Sequence, residues 1–196
     1  MESSLQQLKG LIQALPRGLQ DHLERVRESA RALATIHSVP LEAAELAALG
    51  HDLARACSAE TLLKQAREWH LDVHPIEEQI PILLHGPVAA AMLRRQCGVE
   101  DIRVLEAVRW HSTAVPGMGP VGLVVFLADK LEPHKLQRFG KLTEIAEVAR
   151  VSLERAVVDY LTMEMTVLLK EGRLVHPTSI EARNHLLKAL AEAPDA

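Results

Sequence analysis

Apolar residues in this chain recur mainly three and four positions apart, the period of helices that bury one face. Residues 3–14 carry such a stripe, closed by Pro16 and Gly18. A second runs from about Leu19 to His37, with His22, Val26, Ala30, Leu33 and Ala34 on one face, so an imidazole stands on the buried side near its start. Pro40 suits the first turn of a third helix. In that stretch, "LEAAELAALGHDLARA", Ala43, Ala44, Leu46, Ala47, Ala48 and Leu49 are apolar nearly all round, and the helix is expected to carry His51 and Asp52.

Ser58 reads as the N-cap of a helix over about 59–69, with Glu60 in its first turn. Pro75, Pro81 and Gly86-Pro87 then break the chain into a loop, a short helix and a helix from Pro87 to Cys97 that ends at Gly98. His85 stands at the junction before that last helix. Asp101 should cap the next, "IRVLEAVRWHST", which puts His111 at its C-terminal end, and "VPGMGP" is a loop. "VGLVVFLADKLEP" could be a buried strand by periodicity, but its length and its helical surroundings favour a buried helix that delivers Asp129. Residues 134–142 read as a linker. Helices over about 143–150 and 152–171 follow, the latter stopped by Gly172, and Thr178 with Glu181 predicts a capping box for a last helix. With no repeat and no boundary, residues 1–196 are expected to form a single all-α domain.

Composition supports helices. Of the 196 residues 48% are hydrophobic and only 3% aromatic, so Ala and Leu must fill the core. The net charge of −4 provides no basic field for nucleic acid. No apolar run approaches the roughly eighteen residues of a membrane span, and the first residues lack the order of a signal peptide. Two cysteines, Cys57 and Cys97, suit reduced thiols better than a disulfide framework. A cytoplasmic protein is expected, and a homodimer is left open. Ten histidines are many for this length and are the one compositional hint of a metal.

His22, His51, Asp52, His85, His111 and Asp129 are polar residues set in apolar runs or at helix ends. A buried carboxylate needs a partner, and helical proteins assemble metal sites from side chains on facing helices. Imidazole with carboxylate suits a divalent transition metal such as iron, manganese or zinc. Satisfied core histidines and helix caps remain the competing explanation at each position. His37, His70, His74, His134 and His185 are assigned nothing.

The order His, His-Asp, His, His, Asp resembles the HD-domain superfamily of metal-dependent phosphohydrolases. "LLHGPVAA", "AVRWHSTAVPGMG", "FLADKLEP" and "EGRLVHPTSIEARNHLL" resemble its YqeK-type branch, the symmetrical bis(5'-nucleosyl)-tetraphosphatases, over about residues 20–188. The resemblance implies an HD-type helical bundle with its motifs in about 19–133 and C-terminal helices over about 143–192 completing a nucleotide pocket. It implies an iron-type metal on His22, His51, Asp52 and Asp129. His85 and His111 would face the phosphates or a second metal, with Asp52, His85 and His111 catalytic. His22, Asp129, Lys135, Arg173 and His176 would border the substrate, a dinucleoside polyphosphate, with Lys135 and Arg173 as phosphate anchors. Two departures stand out: Val115 and Lys135 occupy positions where the family pattern has arginine, and the loop after Lys135 is altered and one residue shorter. Other nucleotides, including deoxynucleotides and cyclic nucleotides, a nucleotide-binding sensor without turnover, and a metal-free helical scaffold remain as alternatives.

Overall fold

The structure, a computed structural model, describes residues 2–192. Among them there are twelve α-helices and no strand: α1 (Glu2–Gln13), α2 (Arg17–Ile36), α3 (Leu41–Gly50), α4 (Ala59–Glu68), α5 (Pro75–Gln79), α6 (His85–Cys97), α7 (Ile102–Trp110), α8 (Pro120–Lys130), α9 (Pro133–Arg138), α10 (Lys141–Ala149), α11 (Leu153–Lys170) and α12 (Pro177–Glu192). A 3-10 turn (Pro81–Leu84) joins α5 to α6. No described helix is long and apolar enough to cross a membrane.

Local chemistry accounts for most of the boundaries. Ser58, Asp101 and Ser152 accept backbone N–H bonds at the starts of α4, α7 and α11. Gly98 closes α6 in the left-handed conformation (φ 64°), which costs glycine nothing. Three expectations need correction. His51 and Asp52 do not lie within α3, which ends at Gly50, but in the turn after it, where the chain can aim both side chains back into the bundle. Residues 134–138 and 141–142 of the expected linker are helical, in α9 and at the start of α10; α9 forms because Glu132 accepts the His134 N–H and Pro133 is preset for a first helical turn. At α12 the imidazole of His176 does the capping, its Nδ1 accepting the Thr178 N–H at 3.2 Å, in place of a Thr178–Glu181 box.

α3 sits at the centre, against α2, α6, α7 and α8. Its buried residues are Ala43, Ala44, Ala47, Ala48 and Gly50, so four neighbours can approach its backbone closely. α8 is the other central helix, buried from Val121 to Asp129. Phe126 packs edge-to-face on Tyr160 of α11, with ring centroids 5.5 Å apart, and so ties the C-terminal helices to the core. Burying residues of this size contributes about 1.5–3 kcal/mol each.

Gly86 sets the approach of α6 to α7. A Cβ there would lie 2.7 Å from the Arg109 carbonyl oxygen and 3.1 Å from that of Val108, both of them backbone atoms. At Gly50 the corresponding atom would meet the flexible end of the Leu93 side chain, with Cδ1 at 2.6 Å and Cδ2 at 3.1 Å. Gly86→Ala should therefore destabilise by about 1–3 kcal/mol, as overpacking does. Gly50→Ala should be close to neutral, since alanine's helix preference of about 0.8–1 kcal/mol offsets the shift of Leu93. Urea unfolding of both variants checks this; equal losses would contradict it.

Candidate metal centre

Five elements converge at one buried point. α2 brings His22, the turn after α3 brings His51 and Asp52, and α6 brings His85 as its first residue. α7 brings His111 as the residue that follows it, and the last turn of α8 brings Asp129. Three of the imidazoles are held in the same way. The Nδ1 of His51 bonds the Ala48 carbonyl at 2.7 Å, that of His111 bonds Val108 at 2.7 Å, and that of His85 bonds Ile82. Each carbonyl lies three residues upstream and can only accept, so Nδ1 donates and the Nε2 of each ring faces the centre.

The Nε2 atoms surround the two carboxylates. Asp129 Oδ1 is 3.3 Å from His22 Nε2 and 3.7 Å from His51 Nε2. Asp52 Oδ2 lies 3.7 Å from both of the same nitrogens. The other oxygen of Asp52, Oδ1, is 3.0 Å from His85 Nε2 and 3.5 Å from His111 Nε2. Asp52 thus bridges two halves, His22–His51–Asp129 on one side and His85–His111 on the other. The Nε2 atoms of His85 and His111 are 2.9 Å apart, and Ser112 Oγ lies 3.3 and 3.2 Å from them. Two lone pairs cannot face each other at that distance without a proton or a cation between them.

Charge at the centre follows from these contacts. Burial opposes ionisation of Asp52, yet His51, His111 and His85 hold its carboxyl well below the usual range. Burial likewise opposes ionisation of Asp129, but Lys130 and the nearby His22 and His51 keep it well below that range. Burial would lower His51, but the two carboxylates raise it. His111 is pushed down to about 4, chiefly by burial and against the pull of Asp52, so at neutral pH its ring is neutral.

A metal fits this donor set. His51 Nε2 is fully buried and has no hydrogen-bond partner among the described residues, an arrangement that costs free energy unless something accepts its lone pair. His22, His51 and Asp129, and likewise His51, Asp52 and His111, present ligand atoms within 4.8 Å of one another. Imidazole nitrogen with carboxylate oxygen is a transition-metal combination.

Four contributors escaped the sequence reasoning. Lys130 Nζ, buried, donates to Asp129 Oδ2 at 2.7 Å and to the His111 carbonyl at 3.0 Å. Glu132, also buried, lies 3.9 Å from His22 Nδ1 and is held by Arg25 Nε at 2.8 Å. Ser112 is the fourth, after Lys130, Glu132 and Arg25. Lys130 and Glu132 stand inside "LADKLEP", and a buried ion set so close to Asp129 was the available signal. Of the residues expected at the substrate, Lys135 reaches Asp129. Arg173 is exposed and pairs with Glu171, whereas His176 is buried beside His74, with its Nε2 4.0 Å from Glu77. Val115 lines a cavity of about 360 Å³ with Trp110, Pro116 and Met118 rather than the centre.

The model of the HD domain matches residues 19–134, the stretch that carries all six converging residues. This chain belongs to the HD-domain family. The chain is similar to a protein from Halalkalibacterium halodurans described as a symmetrical bis(5'-nucleosyl)-tetraphosphatase, 32% identical over 166 residues, which are 85% of this chain and 87% of that protein. A protein of the same description from Bacillus subtilis is 29% identical over 85% of this chain and 88% of its own length. The fold matches an HD superfamily hydrolase of Clostridium acetobutylicum described as involved in NAD metabolism, with TM-score 0.89 and 25% identity over 94% of this chain and 96% of that one.

Protein cleared of metal by a chelator should take up Mn²⁺ and melt at higher temperature. A hundredfold excess over Kd stabilises by about 2.7 kcal/mol, and each kcal/mol moves the Tm of a chain this size by about 2–4 °C. His51→Ala should lose both the uptake and the shift in a fluorescence melt. Full uptake by that variant would remove His51 from the centre.

Proposed function

We propose that this chain is a metal-dependent phosphohydrolase that cleaves dinucleoside tetraphosphates symmetrically, converting diadenosine tetraphosphate and water into two ADP. The observation that carries the chemistry is the convergence of imidazole Nε2 lone pairs on two ionised, buried carboxylates. The substrate class is supported by relatives of that activity that share most of their length with this chain. His22, His51, Asp52 and Asp129 would hold the metal, with iron favoured by the family resemblance and manganese or zinc as the alternatives. His85, His111 and Asp52 Oδ1 suit a second ion. When bound, the metal supplies Lewis acidity at the phosphoryl group and eases deprotonation of water.

The chain's own side chains do the remaining work. Asp52 holds both halves of the centre in register through its two oxygens. The His85–His111 pair and the Ser112 hydroxyl form a polar wall, and the Ser112 O–H can turn towards a phosphoryl oxygen as negative charge grows there. Glu132, locked by Arg25, orients His22. Lys135 stands on the more open side, its side chain a third exposed, where the phosphates of a bridge would enter. Arg173 would be the second phosphate anchor and His176 would border the nucleotide pocket, with α10–α12 closing it, so that residues 1–196 act as one HD domain. A cytoplasmic setting fits the unpaired Cys57 and Cys97.

Metal-loaded protein incubated with diadenosine tetraphosphate should give ADP alone by chromatography. ATP with AMP would mean asymmetric cleavage, and no product would leave a binding module. His111→Ala should keep the first metal but lose about a hundredfold or more in turnover, as the removal of a charge-stabilising group does. Loss of all bound metal in that variant would move His111 into the primary ligand set.

A further inference from the structure

Asp129 and Asp52 differ in their surroundings. Asp52 faces four imidazoles and no lysine among the described residues. Asp129 carries two ammonium groups, Lys130 Nζ at 2.7 Å from Oδ2 and Lys135 Nζ at 2.7 Å from Oδ1. Oδ1 is also the oxygen nearest His22 and His51. A divalent ion on that oxygen and an ammonium on the same oxygen repel each other, in a site dry enough for the repulsion to count.

The two lysines are not equivalent. The Lys130 side chain is 11% exposed and is pinned by the His111 carbonyl and by the face of Phe126, 5.0 Å from the ring centroid. The Lys135 side chain is 35% exposed, and its one other bond is to the Asp129 carbonyl oxygen, at 2.6 Å. It springs from the short helix α9, six positions beyond the carboxylate it touches, and it can turn outward without disturbing the core.

We propose that Lys135 is a tethered counter-cation that competes with the metal for Asp129 Oδ1 and is handed to a substrate phosphate when the metal takes that oxygen. Metal occupancy and phosphate binding are thereby coupled through one side chain. The inference rests on Asp129 being a metal ligand, as in the function proposed above, and goes beyond it in making Lys135 work against the metal. An arginine could form the phosphate contact but would spread its charge over a planar fork. A lysine concentrates it on one small group that a carboxylate oxygen can hold and release.

The test is a calorimetric titration of chelator-cleared wild type, Lys135→Gln and Lys135→Arg, first with Mn²⁺ and then, on the Mn²⁺-loaded proteins, with pyrophosphate. Lys135→Gln should bind Mn²⁺ about tenfold more tightly and pyrophosphate about tenfold more weakly, the size of one charge-assisted contact in each direction. Lys135→Arg, which keeps the phosphate contact but spreads its charge over a fork, should bind pyrophosphate about as wild type does and Mn²⁺ with an affinity between those of wild type and Lys135→Gln. In thermal melts the metal-induced rise of Tm should be larger for Lys135→Gln than for wild type. A residue that merely supports the fold would weaken both ligands together. Equal or weaker Mn²⁺ binding by Lys135→Gln, or unchanged pyrophosphate binding, overturns the proposal. Absence of Mn²⁺ uptake already in wild type would overturn the metal centre itself, a failure visible before any variant is compared.

Discussion

Two ionised carboxylates, Asp52 and Asp129, lie less than a tenth exposed in a bundle whose walls are Ala, Leu and Val. Transferring such groups from water costs several kcal/mol each unless partners replace the lost hydration. Four imidazoles and two ammonium groups meet that requirement. The convergence of α2, α3, α6, α7 and α8 on one point is the geometric consequence. Removing one partner leaves a charge stranded in the core, so the centre and the fold depend on each other.

Small residues make the convergence possible. α3 can be surrounded by four helices because its buried faces are alanines, and α6 can touch the end of α7 because Gly86 has no side chain. The last turns of α3 and α7 and the 3-10 turn before α6 then supply the carbonyls of Ala48, Val108 and Ile82 that hold the rings. Backbone that would otherwise end unsatisfied is used to choose the tautomer. Just beyond His111, Ala114 adopts a positive φ of 59° that favours glycine, while the tight turn returns the chain to the loop before α8.

The centre is graded in polarity. Its inner half, His85, His111 and Asp52 Oδ1, is dry and held by backbone bonds. Its outer edge, His22 and Lys135, is closer to solvent and lies beside side chains that include Arg25 and Glu132. A rigid inner half suits atoms that must be in place before a phosphoryl group arrives, and a more yielding outer edge suits entry and exit.

Helical periodicity, the capping residues Ser58 and Asp101, the stop at Gly98 and the helical class were legible in the chain itself, because each is settled by residues a few positions apart. So were the six converging side chains, since an imidazole or carboxylate in an apolar run must be compensated wherever it ends up. Placing His51 and Asp52 in a turn rather than in a helix, forming α9 in an expected linker and capping α12 with His176 needed the folded chain. The same holds for Lys130, Lys135, Glu132 and Arg25. Their roles depend on which atom meets which across separations as long as the 107 positions from Arg25 to Glu132, and no local pattern encodes that distance. Periodicity says which face is buried, whereas packing decides which lone pair, tautomer and ammonium share the space inside.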